Sequence, residues 1–281
     1  MIGRTVLITG ASSGVGKALA VRVAAKKAKL IMFCRDEIKA EKARKEIVSK
    51  SRNEDVHVVI ADLSSIKSVR EAADNIRKRF PELYLLVNNA GASYTKKIIT
   101  EDGLEKTFAG NYLGHYILTH TLLDIMIKHE PGRIVNVASQ AHMKIDFGNL
   151  NGEKKYNYFN AYKYSKAANI LFTFDLAEKL RNTQVTVNSV HPGVVRTSIY
   201  DGIRGLSKLA IKTMWPFFIS PEKSADMIMP LLVSDSFRNI SGKYFVKGKT
   251  ASPKPGVDNK SDREKLRQLS EKLTGIKYEN T

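Results

Sequence analysis

Residues 5–28 read TVLITGASSGVGKALAVRVAAKKA. The first five form a β-branched apolar run, the next seven a glycine-rich loop, and the rest shows the apolar spacing of a helix. A strand that turns through glycines straight into a helix brings free backbone N–H groups and the positive end of the helix dipole to one point. Such a point suits a pyrophosphate, so the stretch predicts a dinucleotide loop. Gly10, Gly14 and Gly16 supply a tight turn, close backbone approach to phosphate, and close contact between helix and strand. The spacing is GxxxGxG rather than GxGxxG. A glycine-rich loop by itself is also compatible with a plain turn, and the flanking strand and helix weigh against that.

Outward from this stretch, residues 29–33 (KLIMF) form a second strand ending at Cys34 and Arg35. At that place an acidic side chain accepts from a ribose 2′-hydroxyl, whereas an arginine pairs with a 2′-phosphate. Arg35, with Asp36 one place late, points to NADP over NAD. The plainer reading of Arg35 is an ion pair with the acidic side of the following helix, DEIKAEKARKEIVS. Residues 56–60 (VHVVI) form a third strand, after which Asp62 and Leu63 reach the adenine edge and Ser64 or Ser65 caps the helix over 65–80. A fourth strand, 83–87 (LYLLV), ends in NNAG at 88–91. Strands and helices alternate without hairpin signals, and the strands are apolar on both faces. The fold class is therefore α/β, a doubly wound Rossmann-type parallel sheet.

Residues 104–127 predict a long helix with Asn111 in its middle, between Gly110 and Gly114. Asparagine is a poor mid-helix residue. It marks a locally opened turn or, more plainly, a buried amide satisfying a neighbour's backbone. RIVNVAS (133–139) is a fifth strand ending at Ser139, followed by a polar loop over 140–157. The next helix carries FNAYKYSKAANILFTF (159–174), where Tyr162 and Lys166 share one face at i, i+4. An ammonium held near a phenol makes the phenol a usable acid or base near neutral pH. Alone, that spacing is a weak signal.

A sixth strand over 185–190 runs into HPGVVRT, and the segment 198–220 is apolar but interrupted, with Trp215, Phe217 and Phe218 close together. Insertions beyond the carboxyl ends of such strands form ligand crevices. This one reads as a substrate lid over an apolar pocket, with shallow membrane contact as the competing reading. Ser220 and Pro221 open another helix, and 244–248 (YFVKG) is a last strand. Residues 249–261 read as a linker, Ser261 to Glu264 as a capping box, and Leu266, Leu269 and Leu273 as the docking face of a final helix. The expected organisation is a single catalytic domain over 1–248, with the lid at 198–220 and a linker plus amphipathic helix over 249–281.

Composition narrows the partners. At 281 residues and 43% hydrophobic the chain can bury a full core. One cysteine, Cys34, excludes an internal disulfide, and the six histidines show no HExxH pairing, so no metal is expected. No signal peptide and no 18-residue apolar run is visible. The expected place is the cytoplasm, or the cytosolic side of a membrane as a peripheral protein. The net charge of +18 suits nucleic acid, an acidic membrane surface or anionic ligands. Its spread along the chain, as in KAEKARKEI, reads as solvated helix exteriors. No nucleic-acid partner is expected, while peripheral membrane contact through the lid and basic surface stays open.

TGASSGVG, NNAG, Asn111, Ser139, the Tyr162–Lys166 pair and the PG of HPGVVRT follow one another as in the short-chain dehydrogenase/reductase family, which the chain resembles over roughly residues 3–248. Within it, CRD at the second strand, GRIVNVASQAH, YKYSKAANILF and VHPGVVRT resemble the retinol dehydrogenases, and less closely the plant protochlorophyllide reductases. The resemblance implies that Tyr162 is the acid for reduction and the base for oxidation. It implies that Ser139 hydrogen-bonds the substrate oxygen, that Lys166 holds the ribose hydroxyls and tunes the phenol, and that Asn111 keeps a relay water. It assigns Gly10, Ser12, Ser13, Gly14, Val15 and Gly16 to the phosphates, Arg35 to the 2′-phosphate, and Asp62 and Leu63 to the adenine. Asn89, Ala90 and Gly91 pass the adenosine ribose, and Pro192, Gly193, Val195 and Thr197 hold the nicotinamide end. The implied activity is NADP(H)-dependent interconversion of an alcohol and a carbonyl on an apolar substrate (a retinoid, a steroid or a lipid aldehyde). Two copies would pair through the long helices around Asn111 and Lys166. A reading of another class is an NADP-binding scaffold, or a protein that uses its basic surface to bind nucleic acid or membranes.

Overall fold

The computed structural model of the chain describes residues 1–129, 131–196 and 218–277. Strand β1 (Thr5–Thr9) turns into α1 (Gly14–Ala25). It is followed by β2 (Lys29–Cys34), α2 (Glu37–Ser51), β3 (Val56–Ile60), α3 (Ile66–Arg79) and β4 (Leu85–Asn88). A short turn, α4 (Lys106–Phe108), opens into a π-helical turn (Ala109–Leu113) and then α5 (Gly114–Ile127). Then come β5 (Arg133–Val137), α6 (Tyr158–Lys179), β6 (Thr186–His191), α7 (Pro221–Val233), β7 (Lys243–Val246), β8 (Lys249–Ala251) and α8 (Lys260–Thr274).

The strands lie in the order β3-β2-β1-β4-β5-β6-β7-β8. All neighbours are parallel except β7 and β8. Successive side chains of a strand face opposite sides, and the core obeys this residue by residue. Val6, Ile8, Leu30 and Met32 pack with α1, α2 and α7. Leu7, Ile31, Phe33 and Leu86 pack on the other side with α3, α5 and α6. Burying each such side chain fully contributes ~1.5–3 kcal/mol, which explains why the strands read as unbroken apolar runs. Strand order reverses between β1 and β4, so their carboxyl ends open a crevice at the switch point.

The interruption at Asn111 is a π turn. One extra residue is accommodated between α4 and α5, as the asparagine flanked by two glycines predicted. Gly114 explains how the turn fits: a Cβ there would lie 2.2 Å from the Leu63 carbonyl oxygen. Backbone packs on backbone at this point, and the loop after β3 is thereby pressed against α5.

The C-terminal region departs from the linker reading. Residues 249–251 pair antiparallel with β7, the turn between the two strands containing Lys247 and Gly248 at positive φ. Val257 is buried in the core. The last helix starts two residues earlier than the capping-box reading placed it: Asn259 is the cap, accepting from the Asp262 amide at 2.8 Å. Asparagine two residues before the serine does the capping because its side-chain oxygen accepts the amide of the third helical residue, Asp262. Leu266, Leu269 and Leu273 do face the core. Tyr112 and Ser270 share a hydrogen bond of 2.6 Å, and Arg70 donates to the Thr274 carbonyl. The side of the π turn and α6 that carries Tyr112 and Phe172 is thus covered by α8. Pairing of two copies through that side would require α8 to leave.

Most of the segment expected as a lid (198–220), Trp215 and Phe217 included, lies outside the described residues, and so does Thr197, expected at the nicotinamide end. Its two ends meet: Val195 bridges to Ile219, and the Arg196 amide donates to the Ile219 carbonyl at 3.1 Å. Ser220 caps α7 with Pro221 in its first turn, as expected. Among the described residues no helix is long and apolar enough to cross a membrane.

Two outcomes test this packing. Gly114→Ala should lose about 1–3 kcal/mol of stability in denaturant unfolding, because neither the Leu63 carbonyl nor the helix can give way cheaply. Burial holds His115 at about 3, and His120 and His191 at about 4, against 6.5 for the unfolded side chain. Each stays neutral in the fold while its unfolded counterpart takes up a proton. Their contribution is therefore complete above 6.5 and lost as pH falls toward 4. A melting-temperature series from pH 8 to 4.5 should decline through that window, and the decline should weaken in His120→Leu.

Candidate active site

The crevice at the switch point is a cleft of about 610 Å³. Its floor begins with the glycine loop. Gly10 and Gly14 have φ of +68° and +53°, a region that side chains other than glycine rarely adopt. A Cβ on Gly16 would lie 2.3 Å from the Gly10 carbonyl oxygen, so α1 rests directly on the loop. Ser13 stands at the N-cap of α1 without using its hydroxyl to cap the helix. The first-turn amides and that hydroxyl therefore remain for a phosphate. Ser12, Ser13, Gly14, Val15 and Gly16 all line the cleft.

Arg35 reaches the cleft from the end of β2, with Asp62 and Leu63 beside it from the end of β3. Its guanidinium Nη1 donates to the Tyr94 hydroxyl at 3.1 Å, across from the loop after β4. That bond is the main cause holding the Arg35 pKa above its ordinary value. The alternative of an ion pair with α2 is not what the side chains do: Asp36 caps α2 by accepting the Lys39 amide and pairs with the Lys39 ammonium. Tyr94, Lys39 and Lys106 join the lining without a sequence signal of their own. Ser65, not Ser64, caps α3, while Ser64 is held by the Asp62 carboxylate.

Asn89, Ala90 and Gly91 border the cleft on a loop pinned by one hydroxyl. Thr9 Oγ1 accepts from the Asn89 and Ala90 amides, both at 2.9 Å, and Asn89 Nδ2 donates to the Thr9 carbonyl at 2.8 Å. His115 continues the chain. Its Nδ1 lies 3.0 Å from the Asn111 carbonyl, which can only accept. Nε2 is therefore the acceptor, and Thr9 Oγ1 donates to it at 2.9 Å. Sequence reading passed over both residues, because a threonine in a strand and a histidine in a helix look ordinary.

Tyr162 and Lys166 line the far end of the cleft, with Val137 and Ala138 from β5 opposite. Lys166 is 3% exposed and donates to the Val137 carbonyl at 2.8 Å. Burial pulls its pKa down to about 8. Its Nζ lies 5.8 Å from the centroid of the Tyr162 ring. Gly91 faces the ammonium: a Cβ there would stand 3.4 Å from Nζ. Ser139, just beyond this wall, has its Oγ oriented by the Ala141 amide at 3.0 Å. Pro192, Gly193 and Val195 close the end, and Gly193 (φ +88°) leaves room for Ile219.

Besides marking the π turn, Asn111 is also a buried amide that satisfies a neighbour's backbone. Its Oδ1 accepts from the Ala92 amide at 2.8 Å, and its Nδ2 donates to the Ala92 carbonyl at 2.9 Å and to Ser165 Oγ at 3.0 Å. A further polar ladder, also unread in the sequence, holds α6 in place. Asn88 Nδ2 donates to Thr119 Oγ1 and to Asn136 Oδ1, and Asn136 Nδ2 donates to Thr173 Oγ1. The rung runs from α5 through β4 and β5 to α6. Its only signal was an asparagine in each of two apolar strands.

The cleft thus joins an anion-accepting loop, a guanidinium at the β2 end, and a phenol near a buried ammonium. The donor set fits a dinucleotide lying from Arg35 to Val195.

Comparison with known proteins agrees with this geometry. The chain is 39% identical over 283 residues to human retinol dehydrogenase 13, covering 98% of this chain and 85% of that protein. It is 38% identical to bovine retinol dehydrogenase 12 over 285 residues, covering 99% and 89%. An uncharacterized protein from Mycobacterium paratuberculosis has a matching crystal structure, with a TM-score of 0.80 at 28% identity over 99% of this chain and 96% of that one. A polyketide ketoreductase structure with NADPH shares the fold at a TM-score of 0.69, with 21% identity over 88% of this chain and 97% of that one. The family profile for short chain dehydrogenase matches residues 4–205. The chain belongs to the short-chain dehydrogenase family and is a nicotinamide-dependent oxidoreductase.

Proposed function

We propose that the protein interconverts an alcohol and a carbonyl on an apolar substrate with NADP(H), Tyr162 being its acid and base. The observation that carries this reading is the buried Lys166 ammonium beside Tyr162 at the end of a cleft whose other end presents Arg35. Arg35, with Tyr94 against its guanidinium, suits a 2′-phosphate better than a 2′-hydroxyl. The glycine loop and Ser13 would hold the pyrophosphate, Asp62 and Leu63 the adenine, and Asn89 to Gly91 the adenosine ribose. Pro192, Gly193, Val195 and Thr197 would hold the nicotinamide end. When bound, the reduced nicotinamide supplies a hydride to the carbonyl carbon.

Negative charge then develops on the substrate oxygen. Ser139 Oγ–H donates to that oxygen, and the Tyr162 hydroxyl passes it a proton. Lys166 stabilises the charge left on the phenol oxygen, with the Val137 carbonyl keeping the ammonium in place. A water held near Asn111 returns the proton from solvent through Lys166. The substrate class is read from the retinol dehydrogenases that the chain matches and from the apolar segment 198–220: a retinoid, a steroid ketone or a lipid aldehyde.

Tyr162→Phe should keep NADPH affinity and lose about 10²- to 10⁴-fold in turnover, measured by NADPH oxidation with all-trans-retinal, a steroid ketone and a long-chain aldehyde. A folded variant with most of its turnover intact sinks the assignment. Arg35→Ala should lower kcat/KM for NADPH about 10- to 100-fold, the worth of a charge-assisted bond, and leave that for NADH nearly unchanged. Equal losses with both cofactors would place the arginine outside 2′-phosphate recognition.

A further inference from the structure

The segment after β8 lies outside the part of the chain that the family profile matches, residues 4–205. It nevertheless reaches the loop that carries Ser139. His142 is 2% exposed, and its Nδ1 lies 2.5 Å from the Ser139 carbonyl oxygen. A carbonyl only accepts, so Nδ1 donates. Nε2 is then the acceptor, and it takes the Lys254 backbone amide at 2.9 Å. The ring is one link between two backbones, its tautomer set at both ends.

The far side of the link is firmly held. Lys254 sits between Pro253 and Pro255, whose rings restrict the backbone on either side. Its carbonyl accepts from the Val257 amide at 3.1 Å, and the Val257 side chain is buried in the core. Three residues earlier, β8 is paired to β7. The imidazole itself meets the Tyr244 ring edge-on, with centroids 5.6 Å apart. On the loop's other side the Gln140 amide donates to His191 Nδ1 at 3.3 Å. With the carbonyl of Ser139 and the amide of Gln140 both taken, the peptide between them cannot rotate, and the direction of the serine side chain is set.

We propose that His142 is a positioning residue for Ser139, and that the Pro253–Pro255 segment is its brace, so that the C-terminal region is part of the catalytic apparatus. The inference rests on the catalytic reading of Ser139 given above. Lys254→Pro removes the one N–H that the brace supplies, and His142→Phe removes both hydrogen bonds while keeping a ring against Tyr244. Each should lower kcat about tenfold, as expected for a small misplacement of a reacting group. KM for NADPH should stay within about twofold of wild type, since the strut does not touch the dinucleotide end. The primary isotope effect with 4-deuterated NADPH should rise in both as the hydride step becomes limiting. The double variant should be no slower than His142→Phe, because both remove one coupling. His142→Asn, which can still donate to the Ser139 carbonyl, should recover part of the loss.

The assay uses all-trans-retinal and a long-chain aldehyde. Amide exchange at residues 140–142 supplies a reading independent of turnover, and should quicken in Lys254→Pro and His142→Phe alike. Unchanged exchange in both folded variants overturns the brace. So does an unchanged kcat beside an inactive Ser139→Ala, or a kcat loss matched by a rise in KM for NADPH. A Ser139→Ala enzyme with full turnover overturns instead the catalytic reading of the serine, and the catalytic consequence of the brace with it.

Discussion

Thr9 ends the first strand at the one position where the glycine loop, the NNAG loop and the opened helix can all be reached. Its hydroxyl accepts two amides from the loop after β4 and donates to His115, which in turn holds the Asn111 carbonyl. Thr9, His115 and Asn111 are buried and Asn89 and Ala90 half-buried, and a buried polar group left without a partner costs about 1–3 kcal/mol. The geometry therefore has few alternatives. If the loop after β4 moved, two amides would lose their acceptor; if α5 slid, a neutral imidazole would lose the Thr9 hydroxyl that its Nε2 accepts from. Most of the cleft inherits its shape from this junction.

Lys166 shows the opposite economy. An ammonium is buried with the Val137 carbonyl as acceptor, and burial alone pulls its pKa to about 8. Such a cost has no structural benefit in a helix that could pack an apolar residue there. Its use is electrostatic: in a site of low dielectric a fixed charge acts more strongly on a neighbouring oxygen than it would in water. Gly91 lies against it, and the Asn88–Asn136–Thr173 ladder keeps the helix that carries it in register with the sheet.

The C-terminal thirty residues alter how the domain is understood. Their first part, 249–261, is rich in lysine, proline and serine and reads as a tether, and only the helix after it reads as docked. In the fold those residues add an antiparallel edge strand, cover the aromatic side chains of the π turn and α6, and reach the loop of Ser139 through His142. Two prolines that look like linker punctuation act as stiffeners of a single amide.

Local chemistry made much of the protein legible. TVLIT followed by GASSGVG, the arginine at the end of KLIMF, and the asparagine between two glycines each admit only two physical uses, so strand, loop, candidate cofactor end and opened turn could be read in order. The sequence by itself determined the doubly wound sheet, its glycine loop and the arginine at the end of the second strand, because periodicity and glycine placement are local properties. Most of the other residues that line the cleft were implied by the family resemblance. Only the tertiary structure decided the pairings between distant residues: Arg35 with Tyr94, Thr9 with His115, Asn88 with Asn136, His142 with Lys254. Nothing in the spacing of such residues marks them as partners. The hydrogen bonds form because folding strips water from groups far apart in the chain, and each must find its replacement among whatever the packing of the sheet brings within reach.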